Sequence, residues 1–156
     1  FYDRAEEIFL NLVSQDDHSE ESETQLIAIY QVIKEWQKAI DITKRLSRKR
    51  QLVLKPITAH FYCQLADETS DDAEKVKLLQ QALKQDPKCG RALLTLAKKF
   101  LDAKDYSQCK SMLIALKKAD IELFADARPI ILIIEVWVFL VLSLLVSSLL
   151  IVLSIS

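Results

Sequence analysis

The chain has 156 residues, with 21 Lys and Arg against 22 Asp and Glu and a net charge of −1, which is long enough for one domain with a sizeable core. That balance lacks the basic surplus of a nucleic-acid binder. With one Gly and three Pro (Pro56, Pro87, Pro129), the chain is poor in the residues on which sheet turns lean, and it reads as helices joined by short connections.

The charge is unevenly spread. Every charged residue lies at or before Glu135, and none follows. The cysteines, Cys63, Cys89 and Cys109, are odd in number and widely spaced. A secreted disulfide framework or a zinc site shows paired Cys, so these read as reduced thiols packed as small apolar residues in a cytosolic compartment. The sequence opens on Phe1 with no signal-peptide pattern and is expected to be a fragment.

In chain order, "YDRAEEIF" (2–9) opens a helix through Leu12. A turn rich in Ser, Asp and Glu follows, holding His18 and the pair Asp16–Asp17. A helix carrying Leu26 and Tyr30 comes next, then one opening on Trp36. The basic stretch "KRLSRKRQLVLK" (44–55) reads either as a solvated connecting loop or as a contact for anionic lipid or an acidic partner. A helix with His60, Tyr62, Cys63 and Ala66 follows. Asp71–Asp72 look like helix N-caps, and Pro87 closes the next helix. Two further helices carry Leu96, Ala97 and Phe100, then Tyr106, Cys109 and Leu113.

These elements repeat. Tyr2 and Trp36, Ala5 and Ala39, and Leu12 and Leu46 are each thirty-four residues apart, as are Asp72 and Tyr106 and Ala82 and Leu116. Trp36 to Tyr106 is close to two periods, with the excess assigned to a loop around Ser47–Pro56. The chain thus resembles a tetratricopeptide-repeat array, built of helix–turn–helix units of thirty-four residues. An aromatic (Tyr2, Trp36, Tyr106) begins each second helix. A small residue three later (Ala5, Ala39, Cys109) lets the helices approach. Phe9, Leu79 and Leu113 bury against the next unit. The middle repeat is weakest, with Asp72 in the aromatic place and Lys75 in the small one. The fold class is all-α: a tetratricopeptide-repeat α-α superhelix over residues 1–128, incomplete at its N-terminus, and an apolar helix over 129–156.

Chemistry for catalysis is sparse. One Gly permits no phosphate loop. His60 lies three residues before Cys63, but no further ligand is near, and it reads as a helix-face histidine. No enzyme, cofactor or metal is expected. Repeat arrays instead bind partners on the concave face lined by first helices. The expected groove is Thr24, Ala28 and Gln31, then His60, Gln64 and Asp67, then Arg91, Leu94 and Lys98. It is mixed in polarity and lacks a clustered cationic clamp for a terminal carboxylate.

Three stretches, "YDRAEEIF", "IYQVIKEWQKAIDITKRL" (29–46) and "AHFYCQLA" (59–66), resemble the lipopolysaccharide assembly protein B family of Gram-negative bacteria over roughly four-fifths of the chain. The resemblance implies a bacterial inner-membrane protein with its repeats in the cytoplasm. It implies an adaptor that helps a membrane-bound ATP-dependent protease degrade the deacetylase committing lipid A synthesis, and that contacts other membrane proteins of the pathway. The family's N-terminal membrane helix and paired-cysteine metal module have no counterpart in these residues, so no metal carries over. The alternative is a generic tetratricopeptide scaffold or co-chaperone capturing peptide segments.

Ile130, Ile131 and Ile134 fit the first-helix positions of one more repeat. The run "VWVFLVLSLLVSSLLIVLSIS" (136–156) then carries no charge, and its length is that of a membrane span, about 20 residues. It reads either as a membrane anchor or as the product of a shifted reading frame near Ile134. As an anchor, Lys117, Lys118 and Arg128 on its N-terminal side hold the repeats in the cytoplasm by the positive-inside rule.

Overall fold

The computed structural model describes residues 2–14, 20–46 and 48–155, which form helices and no strand. His18 and the Asp16–Asp17 pair lie outside the described residues, as do the side chains of Tyr2 and Leu12. The helices fall into two compact units, residues 1–92 and 93–156.

The first unit holds α1 (Tyr2–Ser14), α2 (Glu20–Val32), α3 (Trp36–Arg45), α4 (Arg48–Glu68), α5 (Asp72–Gln85) and the first turn of α6 (Gly90–Asp102). Neighbours in sequence pack on one another: α1 on α2, α2 on α3, α3 on α4 and α4 on α5. The repeat pattern explains why. Trp36 begins α3, and Ala39 three residues later is fully buried, as are Leu26, Cys63 and Ala66 of the facing first helices. Trp36 stacks on Phe61 with ring centroids 6.2 Å apart, and its Nε1–H donates to Glu68 Oε1 at 2.7 Å. In the middle repeat Asp72 occupies the aromatic place and is exposed. There the α4–α5 pair relies on the buried Leu78, Leu79 and Ala82. Asp71 caps α5, its carboxylate accepting from the Ala73 N–H at 3.0 Å.

The basic stretch is not a loop. Among the described residues, Leu46, in extended conformation, is the one that lies between α3 and α4, which is helical from Arg48 onward. Side chains organise the junction. The Gln51 amide donates to the carbonyls of Lys44 and Leu46 at 2.7 and 2.8 Å, filling acceptors left open at the end of α3. Arg50 pairs with Glu23 of α2. Pro56 sits inside α4, where it removes one helical donor. Pro56 and Leu52, four residues earlier, are both exposed, so water can serve the freed carbonyl.

The second unit holds the rest of α6, α7 (Tyr106–Ala119), α8 (Ile121–Asp126) and α9 (Arg128–Ile155). Tyr106 opens α7 as Trp36 opens α3, and Leu96, Ala97, Cys109, Leu113 and Leu116 are buried. Asp120 ends α7 and caps α8, its carboxylate accepting from the Leu123 N–H at 2.8 Å. Pro129 stands in the first turn of α9, where a missing N–H is harmless. Ile130 and Ile134 are buried, and the helix is exposed almost all round from Val136 to Leu150.

Candidate functional site

Within the first unit a polar strip runs along α4 and ends at α6. His60, Gln64 and Asp67 are spaced at i, i+4 and i+7, so one helix face carries all three. Cys63 and Ala66, on the neighbouring face, point into the core and are fully buried. Arg91, in the first turn of α6, closes the strip. Its guanidinium pairs with the Asp67 carboxylate and donates to Gln64 Oε1 at 3.4 Å. The Gln64 amide nitrogen lies 3.1 Å from His60 Nε2, so a neutral His60 accepts there. Burial first, and the Arg91 charge second, hold the His60 pKa below its usual value, which favours that neutral form near pH 7. The strip therefore offers hydrogen-bonding groups with its one cation matched by one anion.

The other expected groove residues are placed differently. Thr24 and Ala28 are exposed on α2 and Gln31 is half-buried. Thr24 is tied to the basic stretch, its hydroxyl accepting from Arg50 at 3.0 Å. Leu94 and Lys98 lie on the part of α6 that belongs to the second unit, half-buried and exposed respectively. Hydrogen bonds and an ion pair thus join four of the nine positions, His60, Gln64, Asp67 and Arg91.

Sequence reasoning missed three features. Arg50 was hidden in a stretch read as a loop. A network joins α1, α2 and α3: Glu6 Oε1 accepts from the Tyr30 hydroxyl and from Lys38 Nζ, both at 3.0 Å. The third is a pair of thiols. Cys63 and Cys89, distant in sequence, meet with sulfurs 3.8 Å apart. Nothing in their spacing announces any of these contacts. Among the described residues no three His, Cys, Asp or Glu side chains are grouped to hold a metal ion.

The second unit carries an apolar cleft of about 250 Å³ between α7, α8 and the foot of α9. Leu113, Ile114, Phe124, Ile131 and Ile134 line it, with Lys110, Lys117 and Glu135. Tyr106 stacks on Trp137, with centroids 4.6 Å apart, where the charge-free run begins. The helix α9 is long and apolar enough to cross a membrane, over Arg128–Leu150. Three of its hydroxyls bond its own backbone: Ser143 the Leu140 carbonyl, Ser147 that of Ser143 and Ser148 that of Leu145, each at 2.8 Å. That pattern suits a helix whose polar groups find no water.

A tetratricopeptide-repeat family model matches residues 64–122. Lipopolysaccharide assembly protein B of Haemophilus influenzae (strain Rd) is 35% identical over 115 residues, covering 72% of this chain and 29% of the relative. Lipopolysaccharide assembly protein B of Escherichia coli (strain K12) is 33% identical over 128 residues, covering 80% of this chain and 33% of the relative. The chain is a tetratricopeptide-repeat homologue of lipopolysaccharide assembly protein B. It spans about a third of the length of the curated relatives it matches. In this homologue of lipopolysaccharide assembly protein B, the region matched by the repeat model takes in Gln64, Asp67, Arg91, Leu94 and Lys98. His60 stands just ahead of it, within the stretch "AHFYCQLA".

Proposed function

We propose that this chain is a non-catalytic adaptor in the control of lipopolysaccharide synthesis. The observation that carries the reading is the identity of 33–35% to lipopolysaccharide assembly protein B across 72–80% of the chain, on a repeat fold whose ordinary work is partner binding. In this reading the strip of His60, Gln64, Asp67 and Arg91 belongs to a partner-binding face. In this reading Thr24, Ala28 and Gln31 of the same unit are also contact residues, as are Leu94 and Lys98 on the part of α6 in the second unit. The partners are the deacetylase that commits lipid A synthesis, a membrane-bound ATP-dependent protease and other membrane proteins of the pathway. The adaptor raises the local concentration of the deacetylase at the protease, an effect that needs no chemistry of its own and no cofactor.

The same reading places α9 in the bacterial inner membrane. Lys117, Lys118 and Arg128 precede the charge-free run, which puts the repeats in the cytoplasm. Trp137 and Tyr106 then sit at the level of the headgroups, where amphipathic rings are favoured. A carboxylate-capturing co-chaperone fits less well, because Arg91 already faces the Asp67 carboxylate.

The test is the lifetime of the deacetylase after protein synthesis is stopped, in membranes that also hold the protease. Expression of the full chain shortens that lifetime, and the double reversal Arg91→Glu with Lys98→Glu restores it while helical content is retained. A lifetime indifferent to the chain would overturn the adaptor reading. One shortened equally by the double variant would move the binding face elsewhere.

A further inference from the structure

Two of the three thiols lie against each other in the first unit. Cys63 is fully buried on α4. Cys89 is half-buried in the turn between α5 and α6, immediately before Gly90. Their sulfurs are 3.8 Å apart and share a hydrogen bond. Van der Waals contact between two sulfurs is close to the starting point for a bond of about 2.0 Å. The short turn, in which the Cys89 N–H bonds the Asp86 carbonyl at 3.0 Å, is what must yield. Cys109 is buried elsewhere, in the second unit.

We propose that Cys63 and Cys89 form a dithiol site for exchange with low-molecular-weight disulfides, Cys89 attacking and Cys63 resolving. The division of labour follows from exposure and environment. Cys89 is the more exposed of the two, half-buried where Cys63 is fully buried. The hydrogen bond from Cys63 draws its pKa down to about 6, and the Ala92 N–H in the first turn of α6 adds to this, against the opposing effect of burial. The Cys63 thiol is pushed up, by the same hydrogen bond and then by burial, so it waits as the protonated partner. The charges of Asp86 and Arg91 act on Cys89, and those of Arg91 and Asp67 on Cys63.

The reaction balances. The Cys89 thiolate attacks one sulfur of the disulfide RSSR, forming a protein mixed disulfide and releasing RS⁻. Cys63 loses its proton to solvent or to the released thiolate and attacks Cys89 Sγ, expelling the second RS⁻. Two protein thiols are oxidised to one disulfide, and RSSR is reduced to two RSH. The new bond ties α4 to the start of α6, beside the Asp67–Arg91 pair, and encloses the whole of α5.

The test treats the full chain, in detergent micelles, with oxidised glutathione, then alkylates free thiols and maps the peptides by mass. The expected result is a Cys63–Cys89 crosslink, reversed by dithiothreitol, with Cys109 still alkylated and Cys89 reacting at least about ten times faster than Cys109. Cys63→Ser should stop the reaction at a stable glutathione adduct on Cys89, with helical content unchanged. Cys63→Ala provides the same arrest without a hydroxyl in the core. A wild-type chain that keeps the Cys89 adduct, pairs through Cys109, or crosslinks no faster than the urea-unfolded chain would overturn the proposal.

Discussion

Trp36 concentrates the packing of the first unit in one side chain. The residue is buried, its ring stacks on Phe61, and its N–H reaches Glu68. Trp36→Ala is expected to cost about 3–5 kcal/mol. Trp36→Phe keeps most of the packing and loses one bond to an exposed carboxylate, about 1 kcal/mol. Urea unfolding followed by circular dichroism separates the two. Nearby, Glu6 is shared by Lys38 and Tyr30. The Lys38 hydrogen bond leads in lowering the Glu6 pKa below 4.5. The unfolded chain then binds the proton first, so this stability is present above pH 4.5 and drains as pH falls through it. Burial, then Glu6, lifts the Tyr30 pKa to about 12 from 10. The unfolded chain loses that proton first, so stability falls as pH rises from 10 toward 12. Glu6→Gln should flatten the acid limb of a stability–pH profile, and Tyr30→Phe the alkaline one. An unchanged profile in either variant would remove that group from the account. The aromatic and small positions of the repeat were readable because sequence period and burial share a cause. The Glu6 network was not readable, since hydrogen bonds between polar groups of different helices leave no periodic trace.

At the scale of elements, the turns explain how a repeat array manages with one glycine. Lys34 and Lys104 follow α2 and α6 and take φ of 59° and 58°, the left-handed region usually given to glycine. Both turns close alike. The Glu35 N–H bonds the Tyr30 carbonyl at 2.9 Å, and the Asp105 N–H bonds that of Phe100 at 2.8 Å. A lysine held there carries strain of about 1 kcal/mol. Lys104→Gly is therefore expected to raise stability by roughly 0.5 kcal/mol, part of the relief being offset by the freer unfolded chain. A loss of stability would mean that the lysine side chain matters more than its backbone. Asp71→Ala should remove the α5 cap at a cost of about 1 kcal/mol. The helix order was legible in the sequence. The reach of α4 back to Arg48 was not, because a run of Lys and Arg resembles a solvated loop until Gln51 and Arg50 are seen binding the end of α3 and the side of α2.

At the scale of the molecule, the account joins a repeat surface to a bilayer. The adaptor reading needs both, because the proposed protease is membrane-bound. The apolar run was plain in the sequence, and most of its side chains from Val136 to Leu150 are exposed on α9. The polar strip was only half legible. Helical spacing put His60, Gln64 and Asp67 on one face, while the ion pair to Arg91 depended on how α6 begins. The most direct measurement is flotation of membranes in a density gradient, followed by alkaline carbonate extraction. Three proteins are compared: the full chain, a version ending at Arg128, and a full-length Leu142→Lys, Leu144→Lys double variant. Two lysines in mid-span should each cost about 3 kcal/mol of insertion. The account predicts that only the unaltered full chain floats with membranes and resists extraction. A full chain that fails to float, or that is extracted as readily as the version ending at Arg128, would contradict it.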